Sequence, residues 1–420
     1  MSSDPAPDGR DEGRLLHPAI ASWPCRGNEL DIGGCRVSDL WRRAGRRPFF
    51  AYDRGRIRDR VARLRQALPE RIRLNYAIKA NPMPAVVDHL AGLVDGFDVA
   101  SAGELDVALN SGLTGDRIGF AGPGKSDNEL ARAISAGVVI ELESEREMHR
   151  AAALAHDLGA TPPVAIRVNP DFRIKGSGMQ MAGGPSAFGV DAEAVPALLA
   201  DLPATPLRFV GFHMFAGSQT LDADAIIAAE RQIAELAIQL SEHAPAPVTY
   251  LNIGGGFGIP YFAKDTPLNL EAVGSALAEV TASLKAALPA AEVIVELGRY
   301  MVGEAGVYVC EVIDRKVSRG QTYLVTNGGL HHHLAATGNF GQGLRRNFPV
   351  AVATQIKASP TETVQIVGCL CTPLDLLADK LPAPRADPGD LIAIFQSGAY
   401  AFTASPQDFL GHPRPVELVV

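Results

Sequence analysis

The sequence is short of the features that mark several broad protein classes. Cysteine is scarce and odd in number, with five in 420 residues at Cys25, Cys35, Cys310, Cys369 and Cys371. That count argues against a disulfide framework and suits a reducing, cytoplasmic setting. No apolar run approaches the roughly 18 residues that suggest a membrane span. Positive charge is not in excess: 39 Lys and Arg stand against 47 Asp and Glu, for a formal net charge of −8. General affinity for nucleic acid has no support from that balance. No self-similarity recurs at a period of ~20–50 residues, which argues against a solenoid. The opening MSSDPAPDGRDEGR has the character of neither a signal nor a transit peptide, and residues 1–14 read as disordered.

What the chain does have is alternation. Eight strand-like runs lie between about residues 72 and 296: IRLNYAIKA, GFDVAS, RIGFAG, VVIEL, PVAIRVNP, LRFVGFHMFAG, VTYLNIGGG and EVIVELGRY. Helix-patterned segments such as Asp222–His243 separate most of them. Such alternation predicts parallel β-structure with crossover helices, and eight repeats predict a (β/α)8 TIM-like barrel over 46–298. An open doubly wound sheet is the alternative. After about Arg299 the pattern becomes β-rich with turns, so residues 299–420, together with 15–45, are expected to form a β domain.

Several positions carry chemistry. Lys79 sits in the apolar run LNYAIKANP. A lysine near a strand end often only carries its head to solvent, but at the C-terminal mouth of a barrel strand it could form a Schiff base with a carbonyl cofactor. Gly254, Gly255 and Gly256 in NIGGGFGIPYF let backbone N–H groups approach a phosphate, without the GxGxxG spacing of a dinucleotide site. Glu296 and Arg299 end the last barrel run, where the plain reading is a salt bridge. Cys369 and Cys371 form a C-x-C without a second ligand pair, and His331–His333, taken as extended, would point to alternate faces; no metal is expected at either. Arg345 and Arg346 could bind a distal carboxylate. The segment WRRAGRRPFFAYDRGRIRDRVARLR is basic within an acidic chain: either a solvated helix face or a dock for an acidic carrier protein.

Taken together and in this order, the motifs resemble those of the fold-type III pyridoxal-phosphate decarboxylases, the family of diaminopimelate, ornithine and arginine decarboxylases, and in particular its siderophore, exosortase-associated and secondary-metabolite branch. The resemblance runs from about Pro48 to Val419. It implies that Lys79, in YAIKAN, binds pyridoxal 5′-phosphate covalently, with Asp98 of FDVAS beside it. It implies that Gly254, Gly255 and Gly256 hold the phosphate, that Glu296 of ELGR pairs with the pyridine nitrogen, and that Arg299 and Tyr400 of SGAYAFTAS lie near the phosphate. GCLCTPLD resembles the family's G-P-x-C-[DE]-x-x-D, which implies that Cys371 and Asp375 reach the substrate from the partner subunit of a homodimer, with Cys371 as proton donor. HMFAGSQ matches the family's H-x-G-S through Gly217 and Ser218, but Phe215 replaces the ring-stacking histidine and His213 lies two residues earlier on the same strand face. Phe215 can stack on the ring but cannot transfer a proton. The expected reaction is loss of the α-carboxylate from an amino acid, either free (diamino or amino-dicarboxylic) or tethered to an acyl or peptidyl carrier protein; a racemase is the alternative.

Overall fold

The computed structural model describes residues 17–172, 179–180, 182–340, 342 and 345–420. The N-terminal stretch 1–14 lies outside the described residues. All eight strand-like runs form strands: Arg73–Ala77, Gly96–Val99, Ile118–Phe120, Val139–Leu142, Pro163–Asn169, Arg208–Met214, Tyr250–Gly255 and Glu292–Leu297. Each pairs in parallel with the next, and the last pairs with the first, so the sheet closes into a barrel rather than an open sheet.

Local sequence sets the helix starts. After the second, third and fourth strands the chain repeats Ser-x-x-Glu, and Ser101, Ser126 and Ser144 each accept from the backbone N–H of Glu104, Glu129 and Glu147. Those side chains satisfy helix N–H groups that would otherwise be orphaned where the chain leaves the barrel mouth. The helix Ala223–Ser241, within the expected Asp222–His243, buries Ile226, Ile233, Ala237 and Leu240 on one face. The helix Arg54–Ala67 precedes the first strand and packs against both Leu270–Ala287 and Pro84–Ala91, filling the eighth place in the outer ring.

The second unit is an eight-stranded sheet, with Gly306–Ser318 at its centre. Residues 17–45 add short helices and a three-stranded meander, and Trp23, Leu30, Val37 and Trp41 share a core with Val307, Val309, Leu391 and Phe395. The strand Phe49–Tyr52 belongs to this sheet, paired with Gly306–Val309 and Val416–Val419, although residues from 46 onward read as barrel in the sequence. Four consecutive apolar residues look the same in either sheet. Phe50 and Tyr52 face the barrel core while Phe49 and Ala51 face the other core. We therefore place the boundary between the units at Asp53–Arg54. Among the described residues no helix is long and apolar enough to cross a membrane.

His331–His333 lie in a turn, not in a strand, because Gly328–Gly329 ends the strand Gln321–Thr326. All three are buried. His332 contacts the Tyr308 hydroxyl and the Pro413 carbonyl, His333 contacts Ser397, and among the described residues His331 has no hydrogen-bond partner at either ring nitrogen. Burial, helped by His412, pulls His331 down to about 4 from 6.5. Between those values the unfolded chain holds a proton that the fold does not, so stability is full above about pH 6.5 and is lost as the pH falls toward 4. His331→Phe should remove up to about 3 kcal/mol of that acid-side loss. Denaturant melts at pH 7 and 4.5 check this; equal losses in both proteins would contradict it.

Candidate active site

The functional side chains gather where the barrel strands end. The first strand stops at Ala77, and one turn of 3-10 helix, Ile78–Ala80, carries Lys79 into the mouth. Its neighbours Ile78 and Ala80 are buried, whereas the Lys79 side chain is 44% exposed and so open to a reacting molecule. Lys79 Nζ donates to Glu296 Oε1 at 3.1 Å and lies 5.6 Å from the centre of the Phe215 ring. Desolvation by the surrounding barrel mouth works against the Lys79 charge, but Glu296 and then Tyr400 outweigh it and raise the lysine above its ordinary value. Burial likewise pushes Glu296 up, and Lys79 and His213 more than reverse that, holding it below the usual carboxylate range. Asp98 is buried, with Oδ1 at 3.4 Å from Asn252 Nδ2, and desolvation, Glu296 and Glu141 drive it well above the carboxylate range.

Beside this pair is a cradle built from backbone. Gly254 and Gly256 adopt φ of +75° and +73°, the left-handed region that glycine tolerates. A Cβ at Gly256 would lie 2.0 Å from the Gly217 carbonyl, and one at Gly254 would lie 2.8 Å from the Met214 carbonyl and 3.0 Å from the Phe215 ring. The GGG segment and the Gly217–Ser218 segment therefore approach as closely as backbone allows. Arg299 donates to the Tyr261 hydroxyl at 2.7 Å and stacks over Tyr400 at 4.6 Å; its Nε is buried without a partner. Tyr400 holds a φ of +53° and its N–H donates to the Ala80 carbonyl at 2.8 Å, tying the second unit to the turn that carries Lys79.

A reachable amine, a desolvated carboxylate, an aromatic face, and a cradle of closely packed glycines with a guanidinium whose Nε is unpaired fit the aldehyde, ring nitrogen, ring face and phosphate of pyridoxal 5′-phosphate. The structure thus brings together Lys79, Asp98, Phe215, Ser218, Gly254, Gly255, Gly256, Glu296, Arg299 and Tyr400. His213, expected at the cofactor, sits behind Glu296 instead: Nδ1 lies 2.6 Å from Glu141 and Nε2 lies 3.5 Å from Glu296. Both ring nitrogens face carboxylates, which leaves neither for the cofactor.

The remaining expected residues are elsewhere. Cys371 is exposed on a loop of the second unit. Asp375 is 3% exposed, and its oxygens accept from the N–H groups of Leu330 and Leu370 at 2.6 and 2.8 Å. Those contacts shape the Cys371 loop and leave little of Asp375 for a substrate. Arg345 donates to the carbonyls of Thr337 and Leu376, a loop-tying role rather than a free anion receptor. Arg346 stacks 3.6 Å over Phe262, next to Tyr261. Sequence reading passed over Glu141, Glu143, Arg167 and Tyr250. Arg167 pairs with Glu143 at 2.7 Å, and Tyr250 donates to Glu141 at 2.9 Å. The signal that singles out Lys79, a charged residue inside an apolar run, is also present in VVIELES and PVAIRVNP.

Comparison with known proteins agrees with this geometry. The model of the pyridoxal-dependent decarboxylase pyridoxal-binding domain matches residues 54–303. The chain is 35% identical over 382 residues to the L-glutamyl-[BtrI acyl-carrier protein] decarboxylase of Niallia circulans, covering 89% of this chain and 88% of that one. It is 29% identical to the 2-[(L-alanin-3-ylcarbamoyl)methyl]-2-hydroxybutanedioate decarboxylase of Staphylococcus aureus, covering 87% of this chain and 92% of the other. The diaminopimelate decarboxylase of Helicobacter pylori, solved with L-lysine, superposes with a TM-score of 0.79 at 26% identity, covering 89% of this chain and 91% of that one. These relatives are decarboxylases, which does not favour the racemase alternative. The chain belongs to the pyridoxal-dependent decarboxylase family and is a carboxy-lyase whose cofactor is pyridoxal 5′-phosphate.

Proposed function

We propose that this carboxy-lyase removes the α-carboxylate of an amino acid presented on a carrier protein, rather than of a free diamino acid. The observation that carries the reading is Thr372. Where the family motif has Asp or Glu next to the loop cysteine, this chain has a neutral residue whose hydroxyl accepts from Leu374 N–H at 3.3 Å. The loop therefore offers no charge there to a distal ammonium. The likeness to a decarboxylase named for a carrier-bound glutamyl substrate supports the same reading. Arg42, Arg43, Arg46 and Arg47 form an exposed basic edge. Arg47 donates to the Arg414 carbonyl at 2.6 Å, and His412 in the same segment lies 3.8 Å from Cys369 Sγ. That edge thus adjoins the cysteine loop, as a dock for an acidic carrier would need to. The five free cysteines fit a reducing, cytoplasmic setting.

Within the site, Lys79 would anchor the cofactor. Ser218, Gly254, Gly255, Gly256, Arg299 and Tyr400 would hold its phosphate, and Phe215 would stack on its ring. Bound pyridoxal phosphate supplies the electron sink for the pair left at Cα as CO2 departs. Glu296 favours the protonated, more electron-demanding ring. Phe215 offers no proton, so another group has to return one to Cα, and we assign that to the Cys371 thiol. Cys371 and its loop neighbour Leu374 are exposed on the second unit, Leu374 at 59%. A second copy covering the exposed Cys371 loop would bring the partner's Lys79 to Cys371. The active species is then a homodimer with two shared sites.

Two outcomes are expected. Release of labelled CO2 should be at least about tenfold faster, as kcat/KM, from carrier-linked glutamate than from free amino acids, and reversing the charges of Arg42, Arg43, Arg46 and Arg47 should erase most of that advantage. Equal turnover of both substrates, unchanged by the reversal, would contradict the reading. Lys79→Ala and Cys371→Ala chains, each inactive alone, should recover about a quarter of wild-type activity on random mixing. No recovery would place each site within one chain.

A further inference from the structure

Behind Glu296 lies a second layer of charge that none of the roles above uses. His213 on the sixth barrel strand is 1% exposed, and its two ring nitrogens face Glu141 Oε2 at 2.6 Å and Glu296 Oε2 at 3.5 Å. Glu141 is fully buried and its other oxygen accepts from Tyr250. These are close charged contacts without well-aligned N–H···O angles, and among the described residues neither His213 nitrogen has a hydrogen-bond partner. With a proton on each nitrogen, this buried ring would stand as a cation between the two carboxylate oxygens.

Asp98 faces the same space, where burial and the two glutamates drive its carboxyl well above the carboxylate range. Arg167, in register with His213 on the adjoining strand, is engaged by Glu143. Tyr250 stays protonated through burial and Glu141. With His213 protonated, two anions, Glu141 and Glu296, stand against two cations, His213 and Lys79. Once Lys79 is committed to the cofactor, its ammonium no longer serves Glu296. Glu141, His213 and Glu296 then form a buried row with one net negative charge, and the ring nitrogen is the group left to receive it.

We propose that Glu141 and His213 are positioning residues: Glu141 neutralises His213, so that Glu296 presents a full, oriented negative charge to the cofactor's ring nitrogen. Without Glu141, His213 would draw the Glu296 charge to itself and compete with the ring. The proposal rests on the cofactor reading above.

The test uses full-length protein loaded with ring-15N pyridoxal phosphate and no substrate, with cofactor stoichiometry measured by absorbance after alkaline release. The 15N shift of the ring separates pyridinium from pyridine. Wild type is expected to hold one cofactor per chain with a protonated ring at pH 8. Glu141→Gln, which keeps the shape and loses the charge, should cut the ratio of protonated to unprotonated ring about tenfold or more. Glu141→Asp, which shortens the side chain but keeps the charge, should stay within about threefold of wild type. A merely structural role would order these variants the other way, and that order, or identical ring shifts in all three, would overturn the proposal. Should Glu141→Gln fail to fold, the 15N shifts of His213 in wild-type holoprotein decide: protons on both nitrogens at pH 8 support the row, and a neutral ring overturns it. Wild type that takes up no cofactor would instead overturn the cofactor reading, and this inference with it.

Discussion

The site depends on one contact across the barrel mouth, between the ammonium of Lys79 and the carboxylate of Glu296 at 3.1 Å. Glu296 is 4% exposed, so its charge exists only where protein groups replace water. Lys79 is the opposite case, a nitrogen left open at the end of a buried strand. The asymmetry suits a pair in which one member reacts and the other stays in place. His213 and Glu141 extend the pair inward, and Arg299 with Tyr400 extends it toward the glycine cradle. The ionic order of the mouth is therefore a chain of dependencies that begins at two residues 217 positions apart in sequence.

The two units meet around that contact. Asn81 Nδ2 donates to the Gly398 carbonyl at 3.1 Å and Tyr400 N–H donates to Ala80, so the turn that carries Lys79 is gripped from behind by the second unit. The strand Phe49–Tyr52 contributes one face to each core. The second unit thus has two tasks in one chain: it fixes the lysine turn, and it displays the Cys371 loop, which Asp375 holds from beneath through two backbone N–H groups.

The barrel was legible because its strands are buried on both faces and read as continuous apolar runs separated by helix-patterned segments. Phe49–Tyr52 escaped for the same reason, since a fully buried four-residue run carries no label saying which sheet it joins. Lys79, Glu296, Arg299 and the glycines were legible as motifs. Their distances were not, because strands far apart in sequence bring them together. His213 was read from its neighbours in HMFAGSQ and assigned to the cofactor; only the opposite wall shows that its ring nitrogens lie beside Glu141 and Glu296. Asp375 was credited with substrate contact by its motif and Arg345 by its type; the burial of Asp375 and the backbone partners of both tie them to loops.

The central claim is that the nitrogen of Lys79 holds the cofactor. Borohydride reduction of the cofactor-loaded protein, followed by proteolysis and peptide mass mapping, tests it most directly. The account predicts one phosphopyridoxyl group per chain, on the peptide containing Lys79. An unmodified Lys79, or label spread over other lysines, would contradict it.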